Sequence, residues 1–232
     1  MRPHMRIVLT NDDGFDAPGL AALATAVGSL GGEIVVVAPL EPHSGCGHRV
    51  TTDRPLRVEE TGPGRFAVAG TPADCVRLAL ATIAPDAALV IAGINAGGNL
   101  GVDVHHSGTV AAAREAALHG RRAVAASHYH RRGTVIDWGR AARWLEAVFA
   151  RLPLDATSAG EFWNVNLPDL PAAAAAPAVV ECALDASPFT LAYRATDAGW
   201  HFDCRYHERP RAAGGDVDVC FSGAIAVSRL RA

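Results

Sequence analysis

Lysine is absent from this chain of 232 residues, and all 21 of its basic residues are arginine. That excludes a Walker-type phosphate lysine, Schiff-base cofactor chemistry and a lysine nucleophile. Codon bias in a GC-rich, alanine-heavy coding sequence is the simplest cause. Cysteine is sparse: Cys46, Cys75, Cys182, Cys204 and Cys220 are odd in number and none stand in C-x-x-C spacing. A disulfide scaffold or a zinc ribbon is therefore not expected, and a reducing cytoplasm is the expected location. No run approaches the roughly 18 apolar residues of a membrane span. Asn11-Asp12-Asp13 follows the first apolar run too soon for a secretory leader, and Met5 reads as the natural start. Net charge is −3, and Arg121-Arg122 and Arg131-Arg132 are the only basic pairs, without interleaved aromatics. Neither nucleic acid nor membrane is an expected partner.

Half of the residues are hydrophobic, and a chain of this length buries about 70% of its unfolded surface, so a core forms without metal or disulfide. Short apolar runs alternate with helical patterns through the first 130 residues. Arg6–Thr10, Glu33–Ala38, Ala88–Ala92 and Ala123–Ser127 read as strands covered on both faces, since none shows polar alternation. Ala17–Leu30 reads as a helix with Asp16 as N-cap and Pro18 in its first turn. Thr71-Pro72-Ala73-Asp74 is a capping box opening Cys75–Ile83. Gly108–His119 and Asp137–Ala150 read as further helices, and Leu56–Val58 with Phe66–Val68 as a side hairpin about Gly62-Pro63-Gly64. This order predicts a doubly wound, mostly parallel α/β sheet with right-handed crossovers. Prolines bound the alanine run Pro171–Pro177, which reads as a connector. Beyond it Val179–Leu184, Phe189–Tyr193, Trp200–Tyr206 and Val217–Phe221 alternate like strands of a β-rich appendage.

Ligands of open α/β sheets bind at the carboxyl ends of the strands, so the loops there are where chemistry is expected. Asn11-Asp12-Asp13-Gly14 follows the first strand, and Pro39–Gly47 the second. Gly93–Gly101 follows the third, with His105-His106-Ser107-Gly108-Thr109 just ahead of a helix. Two adjacent carboxylates after a buried strand repel one another and are costly to desolvate. A divalent cation removes the conflict, although Asp12-Asp13-Gly14 also reads as an ordinary turn. Asp12, Asp13, the Ser44 hydroxyl and the Asn95 amide oxygen make an all-oxygen set suited to Mg²⁺ or Mn²⁺. The glycines at 93, 97, 98 and 101 miss the G-x-G-x-x-G register, so no dinucleotide site is expected. With Ser107, Gly108 and Thr109 at a helix N-terminus, and Asn99 nearby, the same loop suits a phosphate.

These segments carry a resemblance. Arg6–Gly14 (RIVLTNDDG), Ala38–Gly45, Gly70–Cys75 (GTPADC), Gly93–Gly101 (GINAGGNLG) and Ser107–Ala113 (SGTVAAA) occur in the order of the SurE family of stationary-phase survival proteins. The resemblance implies a metal-dependent 5′/3′-nucleotidase acting on nucleoside monophosphates, in some members also on short polyphosphate. It implies one divalent cation per subunit held by Asp12, Asp13, Ser44 and Asn95, and a phosphate grip at Asn99, Ser107, Gly108 and Thr109. It further implies a Rossmann-like core, residues 1–150, and a β-rich extension, residues 151–232, exchanged between subunits of a homodimer or homotetramer. The sequence departs from the pattern at Leu40, where the family usually has Asp, at Gly98, where Pro is common, and at His105-His106, which replace a stretch ending in an aromatic. The tail from Ala172 onward also departs from it.

In the mechanism expected from this chemistry, the cation neutralises phosphate charge and orients or activates a water, while helix N–H groups stabilise the developing charge. Asp12 or Asp13 acts as general base or as nucleophile, and His43, His48, His105 and His106 are candidate acids for the leaving group. A haloacid-dehalogenase-type phosphatase is excluded, because its aspartates are separated by one residue and it relies on a lysine. The alternative is a catalytically inactive nucleotide- or phosphate-sensing module on the same fold, distinguished by binding without turnover.

Overall fold

The computed structural model describes residues 5–232. Its centre is a nine-stranded sheet in the order β3-β4-β2-β1-β5-β6-β7-β11-β8. The strands are β1 (Arg6–Thr10), β2 (Glu33–Pro39), β3 (Val58–Gly62), β4 (Arg65–Val68), β5 (Leu89–Ala96), β6 (Arg122–His128), β7 (Glu161–Leu167), β8 (Val179–Glu181) and β11 (Ile225–Arg231). From β4 to β7 every neighbouring pair is parallel; β3 and β11 run antiparallel to their neighbours β4 and β7. This is the mostly parallel α/β sheet expected from the alternating pattern.

Both faces are covered, as the unalternated apolar strands require. Ile7, Leu9, Val36 and Ile91 face one layer, where α1 (Pro18–Val27) packs beside α4 (Trp138–Phe149). Val8, Val35, Val37 and Val90 face the other, under α2 (Pro72–Leu78) and α3 (Gly108–Leu118). The capping box at Thr71 is present in full: its hydroxyl accepts the Asp74 N–H while the Asp74 carboxylate accepts the Thr71 N–H. The β6–α4–β7 connection runs along the sheet in the same direction as those through α2 and α3, yet packs on the opposite face beside α1. Its hand is therefore opposite to theirs, a departure from the uniform right-handed crossovers expected.

Four local expectations are corrected. Ala17, not Asp16, caps α1, because Pro18 at the first helical position sets the boundary one residue later. Val217–Phe221 is not a strand but most of a six-residue helix, α5 (Asp216–Phe221). Asp216 and Asp218 in its first turn favour a helix start, and five residues are too few to separate the two periods. Phe189–Tyr193 and Trp200–Tyr206 give way to a separate hairpin of β9 (Tyr193–Thr196) and β10 (Gly199–Phe202). Within Val179–Leu184 only Val179–Glu181 is strand. The Pro171–Pro177 run forms neither helix nor strand, as its prolines imply. Two further strands, β7 and β11, outside the expected set, carry the sheet on beyond β6.

Candidate active site

β1 and β5 are adjacent, and the chain leaves them in opposite directions, to β2 on one side and to β6 on the other. Their carboxyl ends thus flank the switch point at which such sheets bind ligands. Asn11, Asp12 and Asp13 leave β1 there, and Asn95 lies near the end of β5. The Asn11 amide donates to the Gly14 carbonyl at 2.7 Å, closing the turn. Asp12 is buried and its Oδ1 accepts the Thr109 hydroxyl of α3. Asp13 Oδ2 accepts the Ala96 N–H at 2.9 Å, so the acidic pair is tied to α3 on one side and to β5 on the other.

The loop after β2 is drawn onto the same corner. The His43 N–H donates to the Asp12 carbonyl at 2.7 Å, and the Gly47 N–H to the His106 carbonyl at 3.0 Å. Ser44, next to that first anchor, is exposed. Ser107 caps α3, its hydroxyl accepting the Val110 N–H at 3.1 Å, which leaves the Gly108 and Thr109 N–H groups free of intrahelical partners. Gly108 has no room for a side chain: a Cβ would lie 2.8 Å from Asp12 Cβ and 3.0 Å from Cys46 Sγ. Glycine here lets the helix N-terminus sit directly against the carboxylate.

Burial pushes the Asp12 carboxyl up to about 6, with Asp13 adding to the rise and the Thr109 hydroxyl opposing it. Burial raises Asp13 as well. Among the described residues neither aspartate has an arginine or histidine ion-pair partner. Asn11 Oδ1 is buried beside them without a hydrogen bond. Carboxylates desolvated without a compensating cation, together with spare neutral oxygens, fit a hard divalent ion. Asp12, Asp13 and the Asn95 side-chain amide oxygen are the oxygens at this corner, with the exposed Ser44 hydroxyl on the loop anchored to Asp12. The Asn95 amide N–H₂ is already turned to the Gly97 carbonyl at 2.9 Å, leaving its oxygen available.

The other expected residues are placed unequally. Thr109 and Gly108 join the acidic pair, but the Thr109 hydroxyl is committed to Asp12 and its N–H also faces that carboxyl. Asn99 is buried in an amide network instead: its side chain donates to Ser127 Oγ at 2.8 Å, while Asn164 and Asn166 donate to its carbonyl. His48 is drawn away from the acidic pair to Glu115, two turns along α3, at 2.6 Å. His105 and His106 are exposed on the rim. Burial lowers His43, and the Arg49 charge lowers it further. Ser127, Asn164 and Asn166 lie outside the residues expected at the site, and Asn11 stands in the expected loop without an expected role. Only the alternation Asn164-Val165-Asn166 hinted at a polar strand face.

A doubly wound α/β protein with an acidic pair and a helix N-terminus at its switch point has the two features with which such sheets meet a cation and an anion. The chain belongs to the SurE family: the family model described as Survival protein SurE matches residues 7–185. A relative from Nostoc sp. is 48% identical over 227 residues, covering 98% of this chain and 100% of the relative. The 5′-nucleotidase SurE of Geobacter sulfurreducens is 49% identical over 172 residues, 72% of this chain and 64% of that protein. The crystal structure of the SurE protein from Aquifex aeolicus superposes with a TM-score of 0.84 at 30% identity, over 97% of this chain and 93% of that one.

Proposed function

We propose that this chain is a divalent-metal-dependent phosphomonoesterase that hydrolyses nucleoside monophosphates, a 5′-nucleotidase whose substrates extend to 3′-monophosphates and short polyphosphate. The observation that carries the reading is the uncompensated Asp12–Asp13 pair, Asp12 buried and Asp13 half-buried, against the N-terminus of α3. Relatives named 5′-nucleotidase SurE support it.

Asp12, Asp13, Ser44 and Asn95 would hold one Mg²⁺ or Mn²⁺ per subunit. When bound, the cation neutralises phosphate charge and acidifies the attacking water. The Gly108 and Thr109 N–H groups and the Ser107 hydroxyl receive the phosphate oxygens, aided by the positive end of the helix. Thr109 holds Asp12 in one orientation through its hydroxyl. Asn99 acts from beneath, setting the path of the glycine-rich loop through Ser127, Asn164 and Asn166. Asp12 and Asp13 are the groups placed to take a proton from the water or to attack phosphorus. His43, His105 and His106 stay near the rim to protonate the leaving oxygen, whereas His48 is held on Glu115.

The β9–β10 hairpin exposes Tyr193, Trp200 and Phe202, with Leu191 just before it. That apolar surface supports a homodimer or homotetramer assembled through the C-terminal extension. Five free cysteines support a reducing cytoplasm, and among the described residues no helix is long and apolar enough to cross a membrane.

The test is phosphate release from a panel of 5′- and 3′-mononucleotides and short polyphosphate, with Mg²⁺, with Mn²⁺ and with EDTA. Metal-dependent release abolished by EDTA is expected. Metal-dependent thermal stabilisation by nucleotides without any release would instead favour a binding module.

A further inference from the structure

The segment after residue 185, beyond the match to the family model, returns to the active-site rim beside the glycine-rich loop. Between the glycine-rich loop and α3 lies a short 3₁₀ turn, Gly101–His105. Its Asp103 carboxylate accepts the Tyr206 hydroxyl at 2.6 Å and Arg209 Nη1 at 2.8 Å. Arg209 is almost wholly buried, its side chain 2% exposed, and its second nitrogen reaches the Leu100 carbonyl at 3.4 Å. The guanidinium stacks on both Phe189 and Tyr206, 5.1 and 5.2 Å from the ring centroids. Asp216, fully buried at the start of α5, accepts the Gly101 N–H at 2.9 Å. Gly101 itself has φ +54°, and a Cβ there would lie 2.8 Å from Arg209 Nη2. From the same Asp103, the backbone carbonyl accepts the N–H groups of His106 and Ser107, the residues that lead into the α3 cap.

We infer that Arg209, Tyr206 and Asp216 are positioning residues for the active site: they clamp the Gly101–Ser107 turn and so set the N-terminus of α3 that receives the phosphate. The chain of contacts is continuous, from Arg209 and Tyr206 to Asp103, from the Asp103 carbonyl to Ser107, and from the Ser107 cap to Gly108 and Thr109. Arginine suits the node because its planar fork bonds a carboxylate and a carbonyl at once while stacking on rings, which an ammonium does not. Burial and the Asp103 charge push the Tyr206 hydroxyl up, so it remains a donor. Loosening the clamp removes no aspartate and degrades the phosphate seat first, with Asp12 disturbed only through Thr109, so binding suffers more than the chemical step.

This inference rests on the nucleotidase reading, and its test separates the two. Tyr206→Phe, Arg209→Lys and Arg209→Met are compared with the unmodified chain by steady-state phosphate release and by amide hydrogen exchange. Tyr206→Phe is expected to raise KM about three-fold with kcat within about two-fold, Arg209→Met to lower kcat/KM at least about ten-fold, mostly through KM, and Arg209→Lys to fall between them. Exchange across residues 101–109 should quicken in the same order. Tyr206→Phe, which removes one hydroxyl, keeps the test open should Arg209→Met not fold. Unchanged exchange across 101–109 in Tyr206→Phe and Arg209→Lys, or a loss confined to kcat, would overturn the clamp. If the unmodified chain releases no phosphate, the nucleotidase reading fails, while the exchange measurement still decides the clamp.

Discussion

Two buried carboxylates meet α3, one at each end, and their surroundings are opposites. Glu115, near the C-terminal end, is bonded to His48 at 2.6 Å and His119 at 2.9 Å, with Arg77 at 3.7 Å. Asp12, at the N-terminal end, has the Thr109 hydroxyl, backbone N–H groups and a second carboxylate for company, and no cation. Both side chains are about equally buried, 5% exposed as residues. Glu115 carries its compensation within the fold, and it fastens the loop after β2 to the helix through His48. Asp12 lacks that compensation: no cation of the chain faces it among the described residues, the setting in which an external cation would relieve most.

Substitution at either end tests that contrast, with the largest effect expected at Asp12. Asp12→Asn should cut phosphate release by roughly two to three orders of magnitude, on the scale of losing one preorganised electrostatic contact, with a circular dichroism spectrum unchanged. A variant retaining near-native rate would remove Asp12 from the site. At the other end, Glu115→Gln should cost about 2 kcal/mol in urea unfolding, because it weakens the charge-assisted hydrogen bonds to His48 and His119. The folded fraction should keep its kcat within a few-fold. Loss of kcat without loss of stability would make Glu115 part of the chemistry.

The contrast also carries a pH signature. Asp12 keeps its proton to about pH 6 in the fold, whereas the unfolded chain releases it near pH 4. Between these values the folded form binds more protons, so stability in EDTA falls as pH rises from about 4 to about 6, by about 3 kcal/mol at most. Urea melts across that range should show the decline, and Asp12→Asn should flatten it and be the more stable protein at pH 7. The smallest effect is expected at the cap of α2, which bonds to neither carboxylate. Thr71→Ala removes the cap of α2 and should cost about 1 kcal/mol without altering turnover.

Much of the site was legible because its residues are punctuation at strand ends. Asp12-Asp13 after β1 and Ser107-Gly108-Thr109 before α3 sit where a parallel strand and a helix start put ligand groups, and the fold brings the two together. The Thr71 box was readable because both of its hydrogen bonds are local. Asn99 was legible as polar, but its burial against Ser127, Asn164 and Asn166 depends on a strand 65 residues away. The tail misled for a related reason: Val217–Phe221 has the alternation of a strand, and only the buried Asp216 that bonds Gly101, Asp185 and Val217 reveals a helix start.

Local order along the chain determined the class of this protein: unalternated apolar strands, capped helices, and acidic and small residues at strand ends are short-range patterns written in consecutive residues. Tertiary structure alone decided which carboxylate is compensated, why α4 crosses with the opposite hand, and how Arg209 comes to grip Asp103, 106 positions apart. Those outcomes depend on which desolvated groups meet after folding, and burial and charge pairing are properties of neighbours in space that no stretch of sequence carries.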